Sequence, residues 1–319
     1  MKIFVPDSIH AELVIPAQEI APKAELLPYR EDETGAINAQ GEVVAILRWI
    51  AGKGYARLIR DCPQIRWLHT ASAGVDHVLT PDVKAKAGLV VTDSGPAFEI
   101  AISEFVLAWM LLITRRLPEL MANQHDRKWQ SVEQKELYGQ TVGIIGLGPI
   151  GHGVAIRCKA FGMRTLGLRR SQAPAEGVDE VFTGEDGLHR LLAESDFVVL
   201  AAALTGETHA LLGADQIASM KKSAWLINIA RGGLVDEAAL IAALQSGQLG
   251  GACLDVFVKE PLPQGSPLWE MPNVHIAPHN SSGWTKGLHE RQKTLFLENL
   301  GRFTRGETLR SIVDIARGY

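Results

Sequence analysis

Cysteine is nearly absent from this chain, with three in 319 residues. Cys62, Cys158 and Cys253 stand about a hundred residues apart, which offers neither a disulfide framework nor a zinc-ligand pattern. Excess charge is scarce as well. The 32 Lys and Arg against 36 Asp and Glu leave a formal net charge of -4, and no block of five like charges occurs. Neither a nucleic-acid footprint nor a charged interaction tail is implied. Long apolar runs are missing too. The opening Met1-Lys2-Ile3-Phe4-Val5-Pro6 is too short for a signal peptide. The most apolar long segment, Ile100 to Thr114, is shorter than a membrane span and contains Glu104. It reads as a buried or interface helix, so a cytoplasmic protein without a membrane or bound metal is expected.

The length suits two domains. Short apolar runs punctuate the first hundred residues, at Ile3–Val5, Val43–Leu47, Trp67–His69 and Leu89–Val91, with helix-compatible stretches between them. A long helical pattern follows from about Glu99 to Glu119, stopped near Leu117-Pro118. A stronger series then begins, at Thr141–Gly146, Arg164–Leu168, Phe197–Ala201, Ala224–Ile229, Gly251–Val256 and Val274–Ala277. Near-continuous apolar strands separated by helices such as Asp236–Ser246 are the pattern of parallel sheets covered on both faces. Lys286 to Arg305 reads as one amphipathic helix.

Gly146-Leu147-Gly148-Pro149-Ile150-Gly151 matches G-x-G-x-x-G. It follows an apolar strand and opens a helical pattern, the context that makes it a dinucleotide fingerprint rather than a bare tight turn. Glycines there let a pyrophosphate approach the free N–H groups of a helix N-terminus. Pro149 has no N–H, so one donor is missing, yet proline suits a first helical position. The acid expected about 20 residues on, which would bind the adenosine ribose, is absent. The strand Arg164–Leu168 runs instead into Arg169-Arg170-Ser171. Two guanidiniums there favour a 2′-phosphate, so NADP(H) is the preferred cofactor and NAD(H) the second; the alternative is a solvated pair of surface arginines.

Three further strands end in chemistry-bearing residues. Ile227-Asn228-Ile229-Ala230-Arg231-Gly232-Gly233 puts an arginine beside two glycines. Asp255 and Glu260 follow the next strand, and Pro278-His279 the one after. Singly, each has a bland reading as a surface or structural residue. Together they are the set that binds a carboxylate, polarises a carbonyl and moves a proton.

These motifs resemble the D-isomer-specific 2-hydroxyacid dehydrogenases. Glu136-Leu137-Tyr138-Gly139-Gln140-Thr141 running into Gly146–Gly151, then Ile229–Gly233, Asp255-Val256-Phe257 with Glu260-Pro261, and Pro278-His279 occur in the family's order. The match extends from Ala73-Gly74-Val75-Asp76 to Glu298-Asn299-Leu300. Arg169-Arg170 on a short chain is similar to the glyoxylate/hydroxypyruvate reductase branch. The resemblance implies an α/β fold of two Rossmann/flavodoxin-like domains with parallel sheets and the active site in the interdomain cleft. Residues 1–100 plus 286–319 would form the substrate domain, and residues 101–285 the dinucleotide-binding domain. It implies His279 as the acid/base, Glu260 as its carboxylate partner, and Arg231 as the holder of the substrate carboxylate, joined by the backbone of Ala73 and Gly74. It places Gly146, Gly148, Pro149, Ile150, Gly151, Arg169, Arg170, Ser171, Ala203, Thr208, Ile229, Ala230, Asp255 and Ser282 around the cofactor, Asp255 toward the nicotinamide amide.

The helix around Ile100–Leu112 resembles the family's dimer-forming arm, so a homodimer is expected, with a 2-keto acid as the small-molecule partner. Two departures stand out. Ala202-Ala203-Leu204-Thr205 replaces the usual Leu-Pro-Leu-Thr, and Pro149 replaces the commoner arginine. No room follows Tyr319 for a regulatory domain, so serine feedback is not expected. Leu47-Arg48-Trp49, Phe98 and Trp284 are candidates to line the pocket, Trp284 being equally a packing residue. Formate or phosphite oxidation and a non-catalytic NAD(P)H-sensing role stay open, although formate enzymes of this fold carry glutamine where Glu260 stands, and a sensor has no need of Arg231, Glu260 and His279 together.

Overall fold

The apolar runs form two separate all-parallel sheets in the computed structural model, which describes residues 1–32, 43–49 and 52–319. In chain order the first elements are β1 (Lys2–Pro6), α1 (Asp7–Ile20), β2 (Glu25–Tyr29), β3 (Val43–Arg48), α2 (Gly54–Asp61), β4 (Trp67–Thr70), α3 (Pro81–Ala85) and β5 (Val90–Thr92). Then come α4 (Gly95–Thr114), α5 (Leu117–His125), β6 (Thr141–Ile145), α6 (Pro149–Ala160), β7 (Arg164–Leu168), β8 (Glu180–Phe182), α7 (Gly184–Glu194) and β9 (Phe197–Leu200). The last are α8 (Ala214–Ala218), β10 (Trp225–Asn228), α9 (Glu237–Ser246), β11 (Gly251–Leu254), β12 (Val274–Ile276) and α10 (Lys286–Arg305). The chain divides into two compact units, Met1–Phe98 with Trp284–Tyr319, and Glu99–Gly283.

The first unit carries the sheet β2-β1-β3-β4-β5. Alternation along its strands sorts side chains to two faces. Ile3, Val5, Ala45, Leu47 and Trp67 join Ile9 and Leu13 of α1 and Phe296 and Leu300 of α10. Phe4, Ile46, Leu68 and Val91 join Tyr55 and Ile59 of α2 and Val83 of α3 on the other. The C-terminal helix is therefore part of this core, its Phe296 ring stacked on Trp67 at 5.6 Å. Thr285 caps its start through the Leu288 N–H, and Gly306 ends it in the left-handed conformation.

The second unit carries β12-β11-β10-β9-β6-β7-β8. One contiguous cluster, including Ile145, Leu166, Leu191, Val198, Leu226 and Leu254, packs one face. Asp236 caps α9 with its carboxylate on the N–H groups of Ala238 and Ala239, and Gly247 closes it at φ 71°.

Three differences from the sequence reading have local causes. α4 ends at Thr114, before Leu117-Pro118. Arg116 turns left-handed at φ 50°, and Pro118 sits in the first turn of α5. Proline starts a helix here instead of stopping one, because a first-turn N–H has no intrahelical partner to lose. β2 and β8 escape the apolar-run criterion because both are edge strands. Edges tolerate the polar residues and the Pro28 found there. α4 is long and apolar enough to cross a membrane by length and composition, and 44% of that window is buried.

One core residue of the first unit makes stability depend on pH. His69 is fully buried, its Nδ1 bonded to Thr92 Oγ1 at 2.7 Å and its Nε2 to Ser94 Oγ at 3.1 Å. Burial pushes its pKa down to about 3, so the fold holds the neutral ring. The unfolded chain takes up a proton near pH 6.5 while the folded chain does not. Stability is therefore complete above that value and falls as pH drops toward 3. The expected loss from this group is about 1.4 kcal/mol per pH unit between pH 6 and 4. Urea unfolding of wild type and His69→Gln across that range checks it; equal pH slopes in the two proteins would remove His69 as the cause.

Candidate functional site

The order of the second sheet reverses between β6 and β9, and open α/β sheets bind ligands outside the carboxyl ends of strands at such a point. The glycine loop leaves β6 there. Gly146 has φ 97°, and a Cβ on it would lie 2.6 Å from the Ala202 nitrogen. A Cβ on Gly151 would lie 1.9 Å from the Gly146 oxygen. Both glycines are needed by the protein's own packing. Gly148 differs, because a Cβ there would meet nothing within 4 Å. It caps α6, followed by Pro149, Ile150 and the buried Gly151. Open space at a helix N-terminus, where N–H groups lack helical partners, fits a dinucleotide phosphate.

The neighbouring strands β10, β11 and β12 end level with one another, Asn228 paired with Leu254 and Leu254 with Ile276. Arg231, Asp255 and His279 lie within three residues of those ends, so the parallel register itself delivers them to one edge. Asn228, almost wholly buried, pins the first turn: its side chain accepts from the Ala230 N–H at 3.1 Å and donates to the Arg231 carbonyl at 3.0 Å. Ile229 is buried beside it. Arg231 is extended (φ -147°), with Nη1 donating to the Ala230 carbonyl at 2.7 Å.

Asp255 is fully buried and holds the histidine loop. Its carboxylate accepts from the N–H groups of Asn280 (2.6 Å) and Ser281 (3.0 Å), and its carbonyl from the His279 N–H (2.8 Å). Ser282 follows, half-buried. His279 itself is left-handed at φ 52°, a conformation costing a non-glycine residue roughly 1–2 kcal/mol. The bonds to Asp255 offset that strain. His279 Nδ1 meets Glu260 Oε2 at 2.8 Å, and Glu260 Oε1 accepts from the Phe257 N–H at 3.0 Å. With Nδ1 engaged by a carboxylate, Nε2 is the nitrogen left to exchange a proton. The imidazole is half exposed, so it remains accessible.

Arg169 follows β7 and donates to the carbonyls of Ser171, Ala173 and Pro174, ordering its own loop. Arg170 pairs with Glu207 at 2.5 Å, and Ser171 is exposed. Thr208 donates to the Ala203 carbonyl at 2.7 Å and accepts from the Thr205 N–H at 2.8 Å, closing the loop after β9. In the first unit, Ala73 and Gly74 lie half-buried in the loop after β4. Trp284 is 80% exposed, and both it and Trp49 rest against His289, at 6.2 and 5.4 Å. The cysteines carry no reactive thiol: all are buried, and burial raises each, Cys158 to about 12. Sequence reasoning missed Asn228 as the residue shaping the arginine turn. Its signal was a polar side chain closing the apolar strand Trp225–Asn228.

The family model described as D-isomer specific 2-hydroxyacid dehydrogenase, NAD binding domain, matches residues 107–281. A D-3-phosphoglycerate dehydrogenase of Methanocaldococcus jannaschii is 32% identical over 99% of this chain, which spans only 60% of that relative's length. A glyoxylate/hydroxypyruvate reductase B of Pectobacterium carotovorum is 40% identical over 72% of this chain and 73% of its own. Among solved structures, an NADPH-dependent glyoxylate/hydroxypyruvate reductase of Sinorhizobium meliloti, in complex with NADP and sulfate, superposes with a TM-score of 0.82. It is 28% identical and covers 100% of this chain and 99% of its own.

Two glycines at this edge have opposite surroundings, and alanine scanning separates them. A Cβ on Gly232 would lie 1.9 Å from the Phe257 carbonyl carbon, and backbone cannot move aside cheaply. Gly232→Ala is expected to destabilise by about 1–3 kcal/mol. Gly148→Ala, which meets nothing, should unfold at the wild-type temperature. Thermal unfolding of both variants checks this; equal midpoints would mean that the arginine turn is not wedged against residue 257.

Proposed function

The chain belongs to the D-isomer specific 2-hydroxyacid dehydrogenase family, and from that membership we propose that it reduces small 2-keto acids of the glyoxylate/hydroxypyruvate class with NADP(H). The observation that carries the reading is the Glu260–His279 pair at 2.8 Å, which follows β11 and β12, the two strands that come next in the sheet after β10, whose end presents Arg231. NADP(H), when bound, supplies or accepts the hydride. Arg231 binds the substrate carboxylate with a planar fork and draws charge from the neighbouring carbonyl. The backbone N–H groups of Ala73 and Gly74 bind the same carboxylate. His279 Nε2 gives its proton to the carbonyl oxygen as that oxygen becomes an alkoxide. Glu260 keeps the imidazole oriented through Nδ1 and faces the positive ring. A protein that only sensed the cofactor would have no use for an accessible imidazole held this way.

The second unit is the dinucleotide-binding domain in this reading and the first the substrate domain. Gly148 leaves room for the pyrophosphate, and the N–H groups of Ile150 and Gly151 face it. Asp255 retains acceptor capacity beyond its backbone bonds and receives the nicotinamide amide, with Ala203, Thr208, Ile229, Ala230 and Ser282 around the cofactor. Arg169, Arg170 and Ser171 receive the 2′-phosphate, which takes the place of Glu207 on Arg170. Because these side chains are partly exposed, the preference for NADPH is about tenfold. In this reading the protein is cytoplasmic, with α4 as a core and interface helix rather than a membrane span.

The reading is tested by NADPH oxidation with glyoxylate and hydroxypyruvate, with NADH in parallel. Turnover with both acids and a higher kcat/KM for NADPH are expected. Arg231→Lys should lower kcat/KM at least about a hundredfold, because a bidentate fork becomes a point charge. No turnover with either acid, or a lysine variant within about threefold of wild type, would sink the assignment.

Self-association is the second expectation. Ile100 on α4, Leu117 and Met121 on α5, and Trp129 after it leave large apolar side chains exposed on one chain, more than isolated surface residues need. Light scattering is expected to return twice the 34.7 kDa of the single chain. A monomeric mass at micromolar concentration would refute the dimer.

A further inference from the structure

Arg48 closes strand β3 with its side chain 4% exposed. Its Nε is buried without a hydrogen-bond partner, an arrangement that costs stability. Its Nη1 donates to Thr70 Oγ1 at 3.2 Å; Thr70 Oγ1 lies 2.9 Å from Ser72 Oγ; and Ser72 Oγ donates to the Gly74 carbonyl at 2.9 Å. The direction of this chain is fixed by its ends. A guanidinium only donates and a carbonyl only accepts. Ser72 has one hydroxyl hydrogen, spent on Gly74, so it must accept from Thr70, which in turn accepts from Arg48. Every hydrogen therefore points away from the cation and toward residue 74.

We propose that Arg48, Thr70 and Ser72 are positioning residues for keto-acid binding, a cation-headed hydrogen-bond chain that sets the Gly74 peptide. This rests on the reading of Ala73 and Gly74 as donors to the substrate carboxylate. Gly74 is the loop's most permissive residue, and its carbonyl is the handle by which its torsions are held. The carbonyls of Ala71 and Ser72 have other braces, the Gln292 side chain at 2.6 Å and the Ser94 N–H at 3.0 Å. The far end of the loop is tied to the same guanidinium. Arg48 lies over the Tyr55 ring at 5.5 Å, and the Tyr55 hydroxyl donates to the Val78 carbonyl at 3.1 Å. A charge at the head of aligned hydroxyls also strengthens each bond down the line. The chain thus trades core stability for a preset loop.

The test uses Thr70→Val, which is nearly isosteric and removes the middle hydroxyl, and Ser72→Ala, which frees the Gly74 carbonyl. Thr70→Ser is the rescue. In the full-length enzyme, both breaking variants should raise the glyoxylate KM about tenfold, the scale of one lost hydrogen bond. kcat and the NADPH KM should stay within about twofold, and Thr70→Ser should return the glyoxylate KM to near wild type. Hydrogen–deuterium exchange of the amides at 73–76 should quicken in Ser72→Ala with the rest of the protein unchanged. A glyoxylate KM within twofold of wild type in both breaking variants, or unchanged exchange at 73–76, overturns the proposal. If wild type turns over no keto acid, the functional reading falls separately, and the exchange measurement alone decides whether the chain sets this loop.

Discussion

The buried carboxylate of Asp255 ties the histidine loop to the end of the strand before it, through the N–H groups of Asn280 and Ser281. Those bonds, with the His279 N–H on the Asp255 carbonyl, hold His279 in a left-handed conformation it would not adopt alone. In that conformation its Nδ1 meets Glu260 at 2.8 Å. The Glu260 carboxylate is in turn placed by the Phe257 N–H, and the backbone of residue 257 is the surface against which Gly232 is pressed. Arginine turn, acidic loop and histidine loop are therefore one connected assembly. A buried acid is an expensive group to desolvate, and here its cost is offset by backbone donors that need an acceptor in any case.

Close packing and open space divide the labour at the edge of the second sheet. Gly146, Gly151 and Gly232 are glycines because protein backbone already occupies the place of a side chain. Gly148 is a glycine with nothing beside it, and that open space is where the proposed function puts the dinucleotide phosphate. The first unit shows a related economy. His69, Thr92 and Ser94 satisfy one another inside an apolar sheet, and the strand-end Arg48 spends its charge on a line of hydroxyls instead of a carboxylate. Polar groups in these cores are tolerated where they organise a strand end.

Much of this was legible from residues alone. Near-continuous apolar runs announce parallel strands because both faces are covered. The fingerprint Gly146–Gly151 sits where strand passes into helix, and Arg231, Glu260 and His279 each stand just beyond such a run. The helical patterns Asp236–Ser246 and Lys286–Arg305 match α9 and α10, whose caps Asp236, Thr285, Gly247 and Gly306 act on their immediate neighbours. Local chemistry is carried by adjacent residues, and a sequence displays adjacency directly.

Tertiary structure decided the rest, because the deciding contacts join residues far apart in the chain. Strands β2 and β8 are strands only because a neighbour offers an edge. Asp255 also anchors residues 280 and 281, about 25 positions away, through its buried carboxylate. Asn228 shapes the turn of Arg231, and Arg48 reaches Gly74 through two hydroxyls on another strand end. Pro118 was read as a stop and serves as a start, since Arg116 turns left-handed just before it and Pro118 falls in the first turn of the next helix. Sequence alone determined which chemical groups stand at strand ends; only the packed sheets determined which backbone N–H, carbonyl or hydroxyl each group would hold, because hydrogen-bond partners are chosen by distance in space.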